Sequence, residues 1–417
     1  MKFGETVLGD NAHHLTDPGF DMTSKLAPAY MPGWLILMGA LTAIAPVSID
    51  MYLPTFHLIA QDFQVSSGDV ERTLAIYLFG MAISQLLYGP LADRFGRKPP
   101  LLGGLTLYIL ASIGCALAPN IQVLTLCRLF QAMGGAAGLV VPRAVIRDHY
   151  DTQQAARALS LLMLIMGVAP ILAPIMGGQL LDLVGWRGIF GAMVLGSVAL
   201  ILTVTRVMTE SLNPKNITSL HLATIFRTYI NLLSSPRFVA FAVSGGMISA
   251  AMFSYIASSP RIFIQHFNVA PQHYGMLFGL NAVCLIIGSQ ISARLLKTRS
   301  PISILPLALT GAAVAGVTAL ILTLTGLITL PLLMVCLMTF MFSMGFVGPN
   351  SAAMALADQG KHLGSASAML GTLQMSCGAI AGATVSLLPW EGPLPLVLML
   401  ATCTSLGWSI GLIARRT

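Results

Sequence analysis

Two charged residues, Asp50 and Arg128, lie inside long apolar segments of this 417-residue chain. A charged group within a membrane span costs about 2.5–3.5 kcal/mol on insertion scales, so it normally faces a partner or water. Asp50 can switch between charged and neutral forms, because burial and a nearby cation shift its proton affinity in opposite directions. Arg128 keeps its proton. The two residues therefore have the chemistry of a proton-binding site beside a fixed cation.

The depth of the two residues predicts that they pair. Asp50 lies four residues before Pro54, and Arg128 lies about eight residues after Asn120. At ~1.5 Å per helical residue, both fall in the outer half of a bilayer. The alternative for Asp50 is a structural position at the level of the lipid headgroups, near the end of its helix.

A second charged group occupies the short segment Gly89–Pro99. Its charged side chains are Asp93, Arg94, Arg97 and Lys98. The apolar runs on either side, about 70–88 and 100–118, each approach the ~20 residues that a spanning helix needs. A short basic loop between two spans is cytoplasmic by the positive-inside rule. Gly89 and Gly96 permit a close turn, and the prolines at 90 and 99 suit helix boundaries.

The composition requires a membrane protein with many spans. Hydrophobic residues make up 56% of the chain and charged residues 9%, with a mean hydropathy of +0.81. The net charge of +7 does not indicate nucleic-acid binding, because the cations gather in segments on one predicted side. The exceptions among the 22 Lys and Arg residues are Arg72, Arg128, Arg187 and Arg261. The 6 cysteines stand singly in apolar runs and predict neither disulfides nor a metal site.

Twelve spans are predicted, in two sets of six. Residues 1–28 form a cytoplasmic tail, 29–207 a first six-helix bundle, 208–236 a cytoplasmic linker and 237–417 a second bundle. The first spans are 32–54, 70–88, 100–118, one that follows Asn120, 158–183 and 186–207. The later ones are 237–258, 273–296, 303–325, 329–349, 363–388 and 393–414, and none of these has an acidic residue at mid-span. A proton-carrying carboxylate is therefore expected in the first half.

The ordered pattern Gly-Pro-Leu-Ala-Asp-Arg-Phe-Gly-Arg-Lys at 89–98 resembles the loop between helices 2 and 3 of the major facilitator superfamily. Arg128 to Gly134 resembles the R-x-x-Q-G-x-G motif of that superfamily, with Ala132 in place of one glycine. The segment Ser48 to Pro54 resembles the first-helix signature of the Bcr/CflA drug exporters. The resemblance implies an all-α membrane protein with both termini in the cytoplasm of a bacterium, multi-pass in its inner membrane, and monomeric.

The resemblance also implies roles for two groups of residues. A contact between Arg97 and Asp148 is expected to help latch the outward-facing state. The full set for this latch is Gly89, Asp93, Arg94, Gly96, Arg97, Lys98, Arg147 and Asp148. Helix 5 resembles an antiporter motif, with Ala173 in place of one glycine, that is associated with exporters. Its hinge residues are Gly167, Pro170, Pro174, Gly177 and Gly178.

Substrate would bind near mid-membrane between the halves. The candidates in the first half are Tyr52, Tyr77, Gln85 and Gln131, and those in the second are Met252, Phe253, Tyr255, Asn281, Asn350 and Gln374. Flexible, polarizable methionine suits a pocket that accepts varied shapes. The alternative for each apolar candidate is ordinary packing.

The function predicted from these features is proton-coupled export of drugs or other small molecules by alternating access, with Asp50 and Arg128 as the coupling residues. The partners would be a small-molecule substrate, protons and the lipid bilayer, without nucleic acid, metal or cofactor. Export of an endogenous amino acid, sugar or siderophore is the alternative, and a uniporter is another. A membrane enzyme is disfavoured, because the spans hold no paired carboxylates, no H-E-x-x-H and no phosphate-binding loop.

Overall fold

A computed structural model describes residues 33–150, 152–212, 222–359, 363–388 and 390–415. Every regular element in this part of the chain is helical. The predicted tail 1–28, the middle of the predicted linker and residues 360–362 lie outside the described residues.

The helices follow one another with short connections. In the first half they are α1 (Gly33–Asp50), a 3₁₀ turn (Leu53–Thr55), α2 (Phe56–Asp62), α3 (Ser67–Phe95), α4 (Lys98–Ala116), α5 (Ile121–His149) and α6 (Thr152–Val207). A short helix, α7 (Leu222–Leu233), leads into the second half. There the helices are α8 (Pro236–Pro260), a π-helical turn (Arg261–His266), α9 (Pro271–Leu295), α10 (Pro301–Leu324), α11 (Leu330–Leu356), α12 (Leu363–Leu387) and α13 (Leu394–Ala414).

The helix α6 contains two crossings joined by a single residue. Gly185 has φ 67° and ψ 179°, which interrupts the helix between its two arms. Eleven described segments are long and apolar enough to cross a membrane, and one of them, Leu161–Val207, has 47 residues. At ~1.5 Å per residue that segment is about twice the length that one crossing needs. The predicted spans 158–183 and 186–207 correspond to its two arms.

Helix packing confirms the two predicted bundles. In the first half α5 packs on α3 and α4, and α6 packs on α1 and α4. In the second half α8 and α10 pack on α13, and α11 packs on α9 and α10. The halves meet along two helix pairs, α3 with α12 and α6 with α9. Any side chain at these two seams is therefore placed to sense the movement of one half against the other.

The turn after α3 is shorter than the sequence pattern predicts. Gly89 and Pro90 lie inside α3, so their assignment to the loop was wrong. A proline inside a span loses one backbone hydrogen bond but need not end the helix, because neighbouring groups can satisfy the freed carbonyl. The reversal takes place at Gly96, whose φ of 92° favours glycine. Pro99 lies in the first turn of α4, where its missing N–H costs little.

The first predicted span also differs at its end. α1 stops at Asp50 rather than Pro54, and the chain continues through the 3₁₀ turn into α2, which occupies part of the predicted outer loop. Pro54 falls at the start of the 3₁₀ turn, where its fixed φ is compatible with a helix start. We call the end of the bundle that carries residues 51–66 and 261–270 the outer end, following the orientation that the basic loops predict.

Candidate functional site

Arg128 is fully buried in the first half and is held by aromatic rings and two hydrogen bonds. Its guanidinium carbon lies 4.4 Å from the ring centre of Tyr52 and 4.2 Å from that of Tyr77. Its Nη1 donates to the Ser48 carbonyl oxygen (3.0 Å) and to Oε1 of Gln131 (2.6 Å). The cation–π contacts and the charge-assisted hydrogen bonds offset part of the cost of burying this cation.

Asp50 does not pair with Arg128, so the predicted ion pair is absent from this conformation. The carboxylate is only 3% exposed. Among the described residues Asp50 has no hydrogen-bond or ion-pair partner. The Arg128 guanidinium reaches α1 at the backbone carbonyl of Ser48 rather than at Asp50. Asp50 lies within electrostatic range of the hydroxyls of Tyr77 in the first half and of Tyr255 and Tyr274 in the second.

Two predicted cavity residues belong to the packing around Arg128 instead. Gln131 accepts from Arg128 and donates through Nε2 to the Ser112 hydroxyl (2.8 Å). Tyr52 is fully buried, and its hydroxyl shares a 2.8 Å hydrogen bond with Thr73. These contacts lie within the first half and use the polar atoms that a substrate would need.

Tyr77 and Gln85 keep polar atoms without partners. Both side chains are on α3 and are buried. The Tyr77 hydroxyl and Gln85 Nε2 have no hydrogen-bond partner, and the same holds for the neighbouring Ser84 hydroxyl. Buried polar groups are rarely left unpaired, so such atoms mark places where a ligand or a moving group can bind. Ser84 was not among the predicted candidates, although its place near Gln85 on α3 could have suggested it.

The second half contains two similar amides. Asn281 on α9 donates to the Tyr255 hydroxyl (2.9 Å), and the Tyr255 ring stacks on Phe278 at 5.5 Å. Asn350 on α11 donates to the Ser292 hydroxyl (2.9 Å). The carbonyl oxygens of both amides are buried without partners.

Three further candidates of the second half are placed by packing. Phe253 is buried and its ring packs against Gly378 of α12, where a Cβ would come within 2.3 Å of it. Met252 and Gln374 are half-buried. No contact of these three side chains distinguishes substrate binding from packing.

The predicted contact between Arg97 and Asp148 is present at the basic turn. Nε of Arg97 donates to Asp148 (2.8 Å), and its Nη1 bonds Asp93 of the preceding helical turn. Burial works to lower the pKa of Arg97, but the hydrogen bonds and charges of Asp148 and Asp93 outweigh it and raise that pKa. Arg94 and Arg147 are exposed, so the set divides into a packed core and two solvent-facing cations.

Glu210, which follows α6, completes this turn and was missed by sequence reasoning. Its carboxylate accepts the backbone N–H groups of Arg97 (2.8 Å) and Lys98 (3.0 Å). Burial works to raise the pKa of Glu210, but these hydrogen bonds, with those from Leu212 and Ser211, lower it below its usual range. Lys98 Nζ donates in turn to the carbonyls of Thr205 and Met208. The available sequence signal was an acidic residue just after a predicted span, on the same predicted side of the membrane as the basic turn.

The glycines of the predicted hinge allow close approach of other elements to α6. A Cβ on Gly177 would lie 2.5 Å from the Met51 carbonyl oxygen, and one on Gly178 would lie 3.1 Å from that of Pro271. Gly167 faces Ile286 of α9 across the two halves. Pro170 and Pro174 lie inside the same helix. The motif thus sits at the seam between α6 and α9.

An ion pair between the halves was also missed. Glu71 is fully buried at the start of α3, and Nε of Arg261, in the π-helical turn, lies 3.2 Å from its Oε1. Arg261 stands outside the basic segments that are predicted to be cytoplasmic, so the need for an acidic partner was a signal in the sequence. The described residues contain no cluster of three or more His, Cys, Asp or Glu that could hold a metal ion.

Comparison with known proteins agrees with this architecture. Residues 38–382 match the family model "Major Facilitator Superfamily". The chain is 35% identical over 367 residues to "Uncharacterized MFS-type transporter YdgK" of Bacillus subtilis (strain 168), covering 87% of this chain and 89% of that protein. It is 27% identical over 376 residues to "Bicyclomycin resistance protein homolog" of Haemophilus influenzae, covering 89% and 93% of the two chains.

A shorter match covers about half of each chain. The chain is 35% identical over 181 residues to "Multidrug resistance protein MdtL" of Escherichia coli (strain K12 / DH10B), covering 43% of this chain and 46% of that protein.

Solved structures of low sequence identity share the fold. The D-xylose-proton symporter superposes with a TM-score of 0.70 at 14% identity, covering 90% of this chain and 97% of that one. A POT family transporter in complex with a thioalcohol-conjugated peptide gives a TM-score of 0.71 at 13% identity, covering 92% and 95%. With a family model spanning most of its length and the two-bundle helical architecture described above, the chain belongs to the major facilitator superfamily and is a multi-pass membrane transporter.

Proposed function

We propose that this transporter exports small molecules, drugs among them, in exchange for protons. The observation that carries the proposal is the position of Asp50, a buried carboxylate that has no cationic partner among the described residues and lies near tyrosines of both halves. An unpaired buried carboxylate is costly as an anion, so taking up a proton relieves that cost. A site with this property can couple proton binding to a change of conformation.

The coupling step follows from the two states of Asp50. When protonated it is neutral, and the closed arrangement of the halves tolerates it. When it loses its proton, the charge favours an arrangement in which the site is hydrated or closer to Arg128. A proton gradient thereby drives one half to rock against the other around a substrate site near mid-membrane.

The names of relatives support drugs as cargo. One relative is named for bicyclomycin resistance and another for multidrug resistance. The relative at 35% identity over most of the chain is named only as a transporter. For this reason export of an endogenous metabolite such as an amino acid, sugar or siderophore stays the alternative.

The polar atoms left without partners indicate the kind of cargo. Hydrogen-bonding atoms on Tyr77, Gln85, Asn281 and Asn350 are buried and unpaired. A few polar groups among apolar walls orient a largely apolar ligand. We infer an uncharged or weakly polar molecule with both donors and acceptors, bound between α3 of the first half and α9 and α11 of the second.

Other parts of the proposal rest on the family and on the basic loops. The turn at Gly96 and its contacts with Asp148 and Glu210 would stabilise one of the two states of the cycle. We further propose that the protein works as a monomer in a bacterial inner membrane, with both termini in the cytoplasm.

The test is drug susceptibility in an efflux-deficient bacterial host. Cells expressing the wild type should resist members of a panel that includes phenicols and bicyclomycin, and Asp50→Asn should abolish this resistance at equal membrane expression. Asp69→Asn is the matched control, because Asp69 is a partly exposed carboxylate that caps α3. Export by Asp50→Asn against a proton gradient would contradict the assignment of Asp50.

If the wild type gives no resistance, the cargo is a metabolite. Comparison of what the expressing and non-expressing cells release would then identify it. A pH gradient imposed on inverted vesicles should still drive uptake of that metabolite in the wild type only.

A further inference from the structure

The ion pair between Glu71 and Arg261 joins the two halves at the outer end. Glu71 is the fifth residue of α3, and Arg261 is the first residue of the π-helical turn after α8. The Glu71 side chain is 0% exposed and that of Arg261 is 18% exposed. The carboxylate is therefore shielded from water and the guanidinium largely so, although the pair lies close to the ends of its helices.

The pair is poorly made as a structural contact. Nε of Arg261 lies 3.2 Å from Oε1 of Glu71, but neither carboxylate oxygen accepts a hydrogen bond within normal geometry. Nη2 of Arg261 is also buried without a partner. A buried ion pair offsets its desolvation only with excellent geometry and additional hydrogen bonds, and neither is present here. The closed state therefore carries an unrepaid desolvation cost, while loss of either partner would leave the other as an unpaired buried charge and would destabilise the closed state further.

The other acid–arginine pairs at this end differ in one respect. Arg72 pairs with Asp69, and Arg187 pairs with Asp62, and in each case both residues belong to the first half and are substantially exposed. The pair of Glu71 and Arg261 is buried and crosses from one half to the other. Its separation requires the halves to move apart, whereas the exposed pairs can persist in any arrangement.

Neighbouring contacts close the same end. The Ser67 hydroxyl and the Gln265 side chain are hydrogen-bonded across the halves (3.2 Å). Gln272 of α9 donates to Asp182 of α6 (2.8 Å). A Cβ on Gly68 would lie 2.5 Å from the Ser386 carbonyl oxygen of α12. The described outer end is thus sealed in this conformation, with the ion pair as its buried charged contact.

We propose that Glu71 and Arg261 form an outer gate that holds the closed outer end and must separate in each transport cycle. When the outer end opens, water reaches both side chains and repays the desolvation that the closed state imposes. The π-helical turn fits this role, because π-helical turns are rare and occur frequently at functional sites. The proposal rests on the alternating-access part of the proposed function and is independent of which cargo is carried.

The test measures the distance across the outer end. Spin labels on Gln61→Cys and Ala270→Cys, both exposed and in different halves, are placed in a variant whose 6 native cysteines are replaced. Glu71→Gln and Arg261→Gln should each shift the distribution towards longer distances. We expect the open-to-closed ratio to rise about tenfold, which is about 1.4 kcal/mol. Labels on Gln61→Cys and Leu183→Cys, within one half, should show no change.

Two further variants make the result decisive. The charge exchange Glu71→Arg with Arg261→Glu should restore the short distance, because it re-forms the pair with reversed polarity. Asp69→Asn, which removes the exposed pair with Arg72, should leave the distribution unchanged. An unchanged distance in both single variants would overturn the gate, as would a charge exchange that behaves like the single variants.

A third variant tests the gate even if the neutral variants fold poorly. Arg261→Lys keeps the charge but not the guanidinium, so it should shift the distribution in the same direction by a smaller amount. An unchanged distribution in this variant would contradict the gate. The distance readout does not require transport. The gate can therefore be contradicted while drug export is observed, and the gate can be supported while no drug export is observed.

Discussion

At the scale of single residues, the arrangement separates two charges that the sequence suggests as a pair. Arg128 is fixed between two tyrosine rings and bonded to the Ser48 carbonyl, while Asp50 has no ion-pair partner among the described residues. These contacts fix the cation, although its Nε and Nη2 are buried without a hydrogen-bond partner in the described part of the chain. Such a cation is suited to holding the first half together. In the proposed mechanism the group that gains and loses a proton is Asp50.

Arg128→Lys should destabilise the protein although it conserves the charge. Lysine has a compact ammonium group in place of the planar guanidinium. It therefore cannot stack between the two rings and donate to both Ser48 and Gln131. We expect a loss of about 1.5–3 kcal/mol in the free energy of unfolding, the usual value of a hydrogen bond to a charged group. Thermal unfolding in detergent measures the change. Arg72→Lys, at an exposed pair, should leave stability unchanged, and equal stability of both variants would refute this account of Arg128.

The contribution of Glu210 to the stability of the folded protein should depend on pH. Its pKa is lowered in the folded protein from a usual value of 4.5, so its stabilising contribution is present above 4.5 and is lost as the pH falls through the lowered pKa. Wild type should therefore be more stable than Glu210→Gln at about pH 7, and the difference should shrink in acid below 4.5. Unfolding of both proteins across this range measures it. A difference that stays constant on acidification would show that the carboxylate charge is not the stabilising feature.

At the scale of helices, close approach at α6 fixes how the segment after α1 packs on it within the first half. Because Gly177 has no side chain, the Met51 carbonyl occupies the space that a Cβ at this position would need. Because that neighbour is backbone rather than a flexible side chain, the contact cannot relax without moving a whole segment. The glycines of this helix therefore do not all have the same role.

Gly177→Ala should lower stability, whereas Gly191→Ala should not. A methyl group at 177 would meet the Met51 carbonyl oxygen at 2.5 Å, and one at 191 would meet nothing within 4 Å. Overpacking of this kind costs about 1–3 kcal/mol. Thermal unfolding of the two purified variants, both changed on α6, provides the comparison. Equal melting temperatures would mean that α6 and the Met51 segment can move apart freely.

Much of the helical architecture could be predicted from the sequence, because apolar runs of spanning length report directly on the bilayer. The error at Gly89 and Pro90 has a physical reason. A proline inside a membrane helix removes one backbone hydrogen bond, but neighbouring groups can satisfy the freed carbonyl, so the helix continues through it.

The predicted ion pair between Asp50 and Arg128 is absent for a different reason. Depth along the membrane was available from the sequence, but the sequence does not specify which group of α1 the guanidinium contacts, and here it is the Ser48 carbonyl. The contact of Arg97 with Asp148 could be predicted because the topology places both residues at the same end of the bundle and the family resemblance implies the contact.

At the scale of the whole molecule, the proposed alternating access requires that only one end is open at a time. In this conformation the described outer end is closed by contacts between the halves, including the bond from Ser67 to Gln265. Glu71 and Arg261 could not be paired from sequence, because they are far apart in the chain and the unusual position of Arg261 predicts an acidic partner without specifying which one.

Cross-linking the outer end should arrest transport. Ser67→Cys with Gln265→Cys in the cysteine-replaced protein brings two thiols within reach of a short cross-linker, since the native side chains are 3.2 Å apart. We expect export to stop after cross-linking and to return when a cleavable linker is reduced. The control is Asp62→Cys with Arg187→Cys, whose native side chains are 2.6 Å apart within the first half. Export that continues through a cross-linked outer end would contradict alternating access.

The single-residue break at Gly185 has a consequence for biogenesis. The two arms of α6 have no loop between them, so a polar segment that could wait at the membrane surface is lacking at this point of the described chain. We expect the two arms to enter the lipid together as a helical hairpin, with the second arm drawn in while the first is still leaving the insertion machinery. On this expectation the two arms of α6 insert as one unit. A ribosome that stalls between them would leave the first arm without the second arm, which fixes its orientation.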